Sequence, residues 1–239
     1  MELKVIYEDD NLFAIDKPSG ITVFSEGNEK EKTLIDYLLE KFPNLKNVGR
    51  PPRFGIVHRL DKETSGIILV AKDDKTLEFL QKQFKERKVI KRYLALVVGK
   101  VKENQGNIET LIGRSPKNRK KQKVYLPLEP KSKGKRLRKA ITEYKILERF
   151  KDYTLIEVIP KTGRKHQIRV HFSNLFHPIA GDKLYGFKNQ PKPENLDRLF
   201  LHAHYLKIKI PAGETIELRS DLTKNLKEIL EKLNHDNKN

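Results

Sequence analysis

The chain has 239 residues, of which 37% are hydrophobic and 34% are charged, and its formal net charge at pH 7 is +18. A protein this positive repels itself and usually has a polyanionic partner, most often a nucleic acid. The absence of cysteine excludes disulfides, thiolate catalysis and cysteine-ligated zinc. The sequence has no run of eighteen apolar residues, so it predicts no membrane-spanning helix. We expect a cytoplasmic protein without a signal peptide.

The first predicted elements are a β-hairpin and a short helix. Residues 5–7 and 12–15 are apolar runs around a polar turn, which is typical of a hairpin. The Lys-Pro-Ser-Gly sequence of residues 17–20 then ends the second strand. Residues 33–42 have the spacing of a helix that ends before a proline. Its inward side chains are predicted to be Leu34, Ile35, Leu38 and Leu39.

The middle of the chain continues with a strand, a helix and another strand. Residues 66–71 are apolar throughout, which predicts a fully buried strand. A helix follows, capped by Asp73 or Asp74 and running to about Arg87. Residues 93–98 predict the next strand.

The second half of the chain is richer in predicted strands than in helices. The strands are expected at residues 140–148, 153–160, 166–171 and 205–210, and a last helix at about 220–234. We see no internal repeat and no linker, so we expect one domain over residues 1–239. The fold class is α+β, with a mixed, mainly antiparallel central sheet flanked by helices.

Residues 114–139 stand apart by their charge. They contain twelve Lys and Arg residues and a single acid, Glu129, so this stretch alone carries +11 of the net +18. A solvated loop is one interpretation, but so many cations with one anion exceed what solubility requires. We interpret the stretch as an insertion that contacts phosphate.

A polar loop directly precedes the predicted buried strand. Residues 55–66 have the sequence GIVHRLDKETSG and place His58, Arg59 and Asp61 in this loop. Catalytic side chains tend to lie on loops that a rigid element holds. The alternative is that Asp61 only caps a turn and that Arg59 is a surface cation.

A second segment, residues 162–171 with the sequence TGRKHQIRVH, is polar at most positions. As a strand, it would direct Arg164 and His166 to one face and Gln167 and Arg169 to the other. Polar groups on both faces indicate that one face borders a cleft. The alternative is a solvated edge strand whose cations discourage aggregation.

Five motifs, in order and spanning residues 5 to about 210, resemble the RluA-type pseudouridine synthases. They are KPSG at 17–20, HRLD with TSG at 58–66, KRYLALVVG at 91–99, GRKHQIRVH with HPIAGD and LYG at 163–186, and LHA at 201–203. The resemblance implies the pseudouridine synthase fold, with an active-site cleft across its middle. Phe24 departs from the pattern, since many relatives have a histidine there. We expect no S4 RNA-binding domain, because the motifs begin near residue 5.

The resemblance also implies an isomerase that acts on RNA. Such an enzyme breaks the N1–C1′ bond of uridine, rotates the uracil and joins C5 to C1′, so we expect no cofactor and no metal. The resemblance assigns Asp61 as the catalytic carboxylate, Arg164 as its ionic partner, with Arg169 as the alternative, and Tyr93 as a ring that stacks on uracil. The carboxylate could stabilise positive charge at C1′, attack that carbon or remove a sugar proton. The sequence leaves these three roles open.

The expected partner is structured rRNA or tRNA, and we expect a monomer with no membrane and no obligatory protein partner. A uridine inside a helix must be flipped out, and the resemblance implies that Arg59 fills the gap. The residues expected to contact RNA are His58, Arg59, Arg114, Lys117, Arg119, Lys120, Lys121, Lys165, His166, Gln167 and Arg169.

Three other interpretations are open at this point. A non-catalytic RNA-binding protein would explain the charge but not the joint presence of Asp61, Tyr93 and Arg164. A hydrolase using Asp61 with Glu63 would need two carboxylates that diverge on a strand. A metal site would need neighbouring strand histidines to converge, which they do not do by default. These histidines are His166, His171, His177, His202 and His204.

Overall fold

The computed structural model describes residues 3–25, 27, 31–125 and 136–236. They divide into two compact units. The first takes in the described parts of Met1–Lys91 and His202–Asp221, and the second those of Arg92–Leu201 and Leu222–Asn239. Each unit is therefore built from two separate stretches of the chain. The single domain expected over residues 1–239 stays a prediction.

The described residues form ten strands, four α-helices and one short 3-10 helix. In chain order these are β1 (Lys4–Glu8), β2 (Leu12–Lys17), α1 (Leu34–Lys41), the 3-10 helix (Pro43–Asn47), β3 (Ser65–Ala71), α2 (Asp74–Lys85), β4 (Ile90–Val98), β5 (Gln105–Arg114), β6 (Gln122–Tyr125), β7 (Arg138–Arg149), β8 (Tyr153–Pro160), α3 (Gln167–Asn174), β9 (Leu201–Lys209), β10 (Thr215–Arg219) and α4 (Lys224–Asp236). No helix in this part of the chain is long and apolar enough to cross a membrane.

In the first unit, β1, β2, β3 and β9 lie side by side in that order and β10 pairs with β9. The turn of the predicted β1–β2 hairpin forms because Asp9 Oδ1 accepts from the N–H groups of Asn11 (2.7 Å) and Leu12 (2.8 Å). Every residue of β3 is buried, as the apolar run predicts. Among the described residues of this unit, the short β3–β9 pairing is parallel and the other three pairings are antiparallel.

Side-chain caps fix the two helices of the first unit. The Asp36 carboxylate accepts from the N–H (2.7 Å) and the hydroxyl (2.8 Å) of Thr33, the residue before α1. The Asp73 carboxylate accepts from the N–H of Thr76 (2.8 Å) at the start of α2. Both predicted helices are confirmed, and Asp73 rather than Asp74 is the capping residue.

In the second unit, β4, β8, β7, β5 and β6 form an antiparallel array in that order. The apolar residues of β4 and β8 form one core with α3 and α4, in which Leu96, Ile156, Phe172 and Leu226 have no exposed surface. The α+β class and the mixed, mainly antiparallel pairing predicted from the sequence are confirmed.

The predicted strand at residues 166–171 is wrong, because this segment begins α3. His166 has a positive φ of 56° and precedes the first turn, and its carbonyl accepts from the N–H of Val170 at 2.9 Å. Six consecutive residues of the helix, Gln167–Phe172, are buried. A helix buried on all sides has no one-sided periodicity, so the residue pattern of this segment does not distinguish a helix from a strand. The assignment of Arg164 and Arg169 to opposite strand faces is wrong with it.

Three strands and one helix boundary also differ from the prediction. The sequence analysis missed β5, β6 and β10, which are short or rich in polar residues. The last helix begins at Lys224 rather than near residue 220.

His171 of α3 provides a test of how the second unit holds its polar core. Its ring has no exposed surface, and its two nitrogens lie 2.9 Å from the hydroxyls of Thr110 and Thr142. A neutral imidazole has one donor and one acceptor, and threonine hydroxyls can match both. Burial lowers the pKa of His171 to about 4, so folding favours the neutral ring.

We predict that His171→Gln flattens the acid dependence of stability. The stabilisation from a histidine with a lowered pKa is complete above its unfolded value near 6.5 and is lost as the pH falls towards about 4. At pH 5 the loss in the wild type should be on the order of 2 kcal/mol relative to pH 7.5. Urea denaturation followed by circular dichroism at both pH values measures it. The exposed His235→Gln is the control, and an unaltered pH profile in His171→Gln would contradict the account.

Candidate active site

The loop that contains Asp61 is hydrogen-bonded to β3 at its start and continues directly into β3 at its end. Before the loop, the N–H of Val57 donates to the Leu69 carbonyl (3.1 Å), and the Gly55 carbonyl accepts from the N–H of Ala71 (2.8 Å). Within the loop, the N–H of Thr64 donates to the Asp61 carbonyl at 3.1 Å. Asp61 itself is partly exposed. The structure therefore presents this carboxylate from a short, tied loop, as the sequence predicts.

A buried lysine holds the far side of the same loop. Lys17 has no exposed surface, and its ammonium donates to the carbonyls of Pro18 (2.8 Å), Ile21 (2.9 Å) and Lys62 (3.1 Å). These bonds join the end of β2 to the residue that follows Asp61. A charged group can be buried in this way only when strong hydrogen bonds replace water.

The neighbours of Lys17 add two further bonds to the loop. The Ser19 hydroxyl donates to the Glu63 carbonyl at 2.7 Å, and the N–H of Gly20 donates to the Lys62 carbonyl at 2.9 Å. Gly20 has a φ of 87°, a conformation that favours glycine. The KPSG motif thus serves as a brace for the Asp61 loop, a role that the sequence analysis did not identify.

The start of β3 is fixed by a close approach and by a buried histidine. A Cβ on Gly66 would lie 2.3 Å from the Ala203 carbonyl oxygen, so only glycine fits there. Beside it, His202 Nδ1 lies 2.8 Å from the Ser65 hydroxyl and Nε2 lies 3.0 Å from the Ser220 carbonyl oxygen. That oxygen can only accept, so Nε2 carries the proton, and in the neutral ring Nδ1 accepts from Ser65. His202 therefore connects β9, β3 and the end of β10.

His58 lies on the protein side of the loop. Its Nε2 accepts from the N–H of Leu69 at 3.2 Å, and its ring stacks on Phe84 with centroids 4.6 Å apart. Burial, together with the charge of Lys91, lowers the pKa of His58 to about 3. The neutral ring is thus a structural tie between the loop, β3 and α2. An RNA contact by His58 stays a prediction.

Arg59 is exposed and lies over an aromatic ring. Its guanidinium carbon is 4.8 Å from the centroid of Phe24, and the guanidinium of Arg53 lies 4.9 Å from the same centroid. Leu60, between Arg59 and Asp61, is buried. The two polar residues therefore extend from one anchored stretch. The gap-filling role of Arg59 stays a prediction.

Tyr93 and Arg164 belong to the second unit, whereas Asp61 belongs to the first. Tyr93 lies in β4 opposite Val158 of β8 and is partly buried. Arg164 lies in the turn before α3, where its Nε donates to the Lys139 carbonyl at 3.0 Å. Their predicted catalytic roles stay predictions.

Gln167 and Arg169 are buried, which favours a structural role over RNA contact. The Gln167 amide oxygen accepts from Thr162 Oγ1 (2.7 Å) and the Arg164 N–H (3.0 Å). Its amide nitrogen donates to the carbonyl of Ile141 and to Thr142 Oγ1, both at 2.9 Å. The full hydrogen-bonding capacity of this side chain is thus used inside the second unit.

Arg169 forms a two-pronged ion pair with Asp182. Its Nε and Nη2 donate to the two carboxylate oxygens at 2.7 and 2.8 Å. Burial alone would raise the pKa of Asp182, but the hydrogen bonds and charge of Arg169 outweigh burial and lower it. Asp182 Oδ1 also accepts from the N–H groups of Leu184 and Tyr185 at 2.9 Å. The pair therefore fixes the loop after α3.

A basic hairpin formed by β5 and β6 presents several of the predicted RNA-contacting residues. In its turn, the N–H of Ser115 donates to the Lys121 carbonyl at 3.0 Å. The Tyr185 hydroxyl accepts from the N–H of Gln122 (2.7 Å) and lies 2.9 Å from His166 Nδ1. Residues 126–135, with three of the twelve cations, lie outside the described residues. The exposed cations of the hairpin and of the turn before α3 are Arg114, Lys117, Arg119, Lys120 and Lys165, and Lys121 is partly exposed.

The described residues do not contain a metal-binding constellation. No group of three or more His, Asp or Glu residues in that part of the chain is placed to hold an ion. His171 and His202 instead bond to hydroxyl and carbonyl groups, and His177 Nδ1 lies 2.8 Å from the Val98 carbonyl oxygen.

We predict that Lys17→Met destabilises the protein by on the order of 3 kcal/mol. The substitution removes the Lys17 donor from the Pro18 and Ile21 carbonyls, at about 1–3 kcal/mol each, while the Lys62 carbonyl keeps its bond from the Gly20 N–H. The relief of burying an ammonium opposes only part of this loss. Lys4→Met, at an exposed position of β1, is the matched control and should shift stability by less than about 0.5 kcal/mol. Urea denaturation measures both. Equal stability of the two variants would refute the brace.

Comparison with known proteins agrees with the motifs. The family model described as RNA pseudouridylate synthase matches residues 11–174. An RNA pseudouridine synthase of Aquifex aeolicus is 42% identical over 81% of this chain and 59% of its own length. Ribosomal large subunit pseudouridine synthase D of Borreliella burgdorferi is 40% identical over 89% of this chain and 62% of its own. The chain thus spans about three fifths of the length of these two relatives.

A solved structure supports the same grouping. Human RNA pseudouridylate synthase domain containing 4 is 26% identical and superimposes with a TM-score of 0.78, over 97% of this chain and 93% of that one. The fold agrees with the pseudouridine synthase fold that the motifs imply. With the family match over residues 11–174, this places the chain in the RluA-type family of RNA pseudouridine synthases.

Proposed function

We propose that this protein converts uridine to pseudouridine in ribosomal RNA. The name of the Borreliella relative supports the choice of RNA. The proposal rests on one observation, which is that hydrogen bonds hold the Asp61 loop in a fixed position. A buried ammonium, a serine hydroxyl and β3 all hold this loop, while the carboxylate that it presents is partly exposed.

The reaction requires such a fixed carboxylate. It breaks the N1–C1′ glycosidic bond and forms a C5–C1′ bond, and the proton displaced from C5 is balanced by the one gained at N1. Positive charge develops near C1′ when the first bond breaks, and a placed carboxylate can stabilise that charge, attack the carbon or remove a sugar proton. Each of these roles requires placement to within a fraction of an ångström. The bonds from Lys17, Ser19 and Gly20 supply that rigidity to Asp61.

Tyr93 and Arg164 complete the proposed catalytic set by their match to the family motifs. Tyr93 would stack on the uracil ring and offer a hydroxyl. Arg164 would act as the ionic partner of the carboxylate. Arg59 would occupy the gap left when the uridine is flipped out of its helix.

The basic hairpin is proposed as the main phosphate-contacting surface outside the catalytic loop. Most of its cations are exposed, while the Tyr185 hydroxyl anchors it to the loop after α3. Within the hairpin, the Tyr125 hydroxyl donates to the Arg114 carbonyl at 3.1 Å. A positively charged element with a fixed position can select RNA of a particular shape. A mobile tail with the same charge would add affinity without orientation.

The proposed activity is tested by comparing Asp61→Asn with Glu63→Gln. The first substitution removes the charge of the catalytic carboxylate and keeps its shape, so pseudouridine formation should fall by at least about a thousandfold while RNA binding is retained. The second removes a nearby charge from the same loop and should retain activity within about threefold. Turnover is measured on ribosomal and transfer RNA from a strain that lacks the gene.

Three outcomes discriminate between the proposal and its rivals. A wild-type protein that binds RNA but forms no pseudouridine would be a binding protein. Release of free base or cleavage of the strand, sensitive to Glu63→Gln, would indicate a hydrolase. Near-normal turnover by Asp61→Asn would remove Asp61 from the mechanism.

We predict that neutralising the basic hairpin flattens the salt dependence of RNA affinity. Each phosphate contact contributes about 0.7–0.9 to the slope of log K against log salt. Lys117→Gln, Arg119→Gln and Lys120→Gln together should therefore lower the slope by about 2. The control removes three exposed cations of α2, at Lys75, Lys82 and Lys85, and should leave the slope within about 0.5 of the wild type. Equal slopes for the two triple variants would mean that the hairpin does not contact RNA.

A further inference from the structure

Two exposed phenylalanines lie side by side in the second unit, at the C-terminal end of α3. Among the described residues, the exposed large apolar side chains are Ile90, Leu147, Leu175, Phe176 and Phe187. The ring centroids of Phe176 and Phe187 are 6.2 Å apart, and Leu175 adjoins Phe176 in the chain. Single exposed apolar residues are common, but a cluster of them marks a binding surface.

The backbone of Phe176 has a conformation that suits glycine. The N–H of His177 donates to the Phe172 carbonyl (2.9 Å), and the N–H of Phe176 donates to the Ser173 carbonyl (3.2 Å). These two bonds end α3 and require a positive φ, which is 63° at Phe176. Glycine is usual at this position, and a bulky side chain there is strained. Glycine or asparagine would end the helix at a lower conformational cost.

Burial does not offset this strain. A phenylalanine stabilises a fold by removing its ring from water, whereas 81% of Phe176 is exposed. The ring that it contacts, Phe187, is itself exposed. The fold therefore does not account for a phenylalanine at this position. Strained residues persist mainly where they contribute to function, which indicates that the Phe176 ring serves to bind a ligand.

The loop that carries Phe187 is held by hydrogen bonds on both sides. The N–H of Phe187 donates to the side-chain oxygen of Gln190 at 2.8 Å. Two residues earlier, the Tyr185 carbonyl accepts from the Ser173 hydroxyl at 2.9 Å, and the Tyr185 hydroxyl accepts from the N–H of Gln122 in the basic hairpin. The aromatic pair, Phe176 and Phe187, is therefore connected to the basic hairpin through a fixed loop.

The exposed charges that flank Phe187 in the chain are positive. They belong to Lys183, Lys188 and Lys192. Asp182 is the only acid in the sequence of residues 173–192, and it is buried in its ion pair with Arg169. Aromatic rings beside cations fit a single-stranded nucleic acid, whose bases stack and whose phosphates are attracted. A second copy of the chain fits less well, because it would bring another net charge of +18 to the same surface.

We propose that Phe176 and Phe187 form a stacking site for an unpaired base of the RNA substrate. This inference rests on the proposed function, which makes RNA the ligand. The two rings are tilted by 42°, so they do not sandwich a base, and the base stacks on the exposed face of Phe176. Lys188 attracts the adjoining phosphate. The base is not the target uridine, which Tyr93 would hold, and any base can occupy the site because each has a flat face.

A tryptophan probe tests the stacking directly. The chain contains no tryptophan, so Phe176→Trp introduces a single fluorophore and keeps an aromatic surface. The probe ligand is oligoadenylate RNA, which stacks well and contains no uridine for the enzyme to modify. Stacking should quench the tryptophan emission, whereas an abasic RNA of the same length, with the same phosphates, should not. Leu147→Trp, at an exposed position of β7, is the matched control and should respond to neither RNA.

Affinities measured by anisotropy of fluorescein-labelled RNA separate stacking from other contacts. Phe176→Leu keeps an apolar side chain but removes the flat ring, so it should weaken oligoadenylate binding by on the order of tenfold and leave abasic RNA binding unaltered. Phe176→Tyr keeps the ring and should retain wild-type affinity. Lys188→Gln should instead lower the salt slope by about 0.7 with both RNAs.

Stability measurements separate a binding role from a structural one. Phe176→Asn removes the ring and places at the positive φ a residue that tolerates it. It should lose the same affinity as Phe176→Leu without any fall in melting temperature, which circular dichroism measures.

Three results would overturn the stacking site. One is tryptophan emission that oligoadenylate quenches in neither Phe176→Trp nor Phe187→Trp. Another is wild-type affinity of Phe176→Leu for oligoadenylate. The third is a wild-type dimer, seen by analytical ultracentrifugation, that Phe176→Asn dissociates, because the pair would then join two copies of the chain. None of these depends on turnover. A wild-type protein that forms no pseudouridine would refute the proposed function, while the binding results would still decide on the stacking site.

Discussion

The buried ammonium of Lys17 is the interaction on which the candidate site depends. Taking a lysine charge out of water costs several kcal/mol, and three carbonyl oxygens compensate for it here. Two of these oxygens belong to residues 18 and 21 and the third belongs to residue 62. The ammonium is therefore satisfied only when the turn after β2 and the Asp61 loop have their native conformations together. A single apolar contact could not impose this condition, because it has no preferred direction.

The second unit uses buried polar groups in the same way. Gln167 ties the turn before α3 to β7, and the Arg169–Asp182 pair ties α3 to the loop that contains Tyr185. The Tyr185 hydroxyl then reaches the basic hairpin. The exposed cations of the basic hairpin and of the turn before α3 thus lie on elements whose conformation is fixed by buried, hydrogen-bonded side chains. Such networks are costly when any member is removed, so substitutions at Gln167 or Asp182 are expected to act through structure.

The sequence predicted the Asp61 loop more accurately than α3, and the reason is physical. Residues 66–71 are apolar throughout and are bounded by polar residues, so the strand and the loop before it are visible in one pattern. In α3 the polar residues Gln167, Arg169 and His171 are buried with their partners, and helical periodicity is lost. Most of those partners lie in β5 and β7 or at Asp182, between 13 and 61 residues away in the sequence. The role of Lys17 could not be predicted for the same reason, because its third acceptor, the Lys62 carbonyl, is 45 residues away in the sequence.

Lys17 and Arg59 belong to the same basic loop region, but one charge is buried and the other is exposed. Lys17 has no exposed surface and its ammonium donates to backbone carbonyls, so its charge stabilises the fold. Arg59 lies over Phe24 and remains exposed, so its position is restrained while its charge still faces solvent. An aromatic ring restrains a guanidinium through its flat face, whereas the carbonyls around Lys17 restrain an ammonium through directed hydrogen bonds.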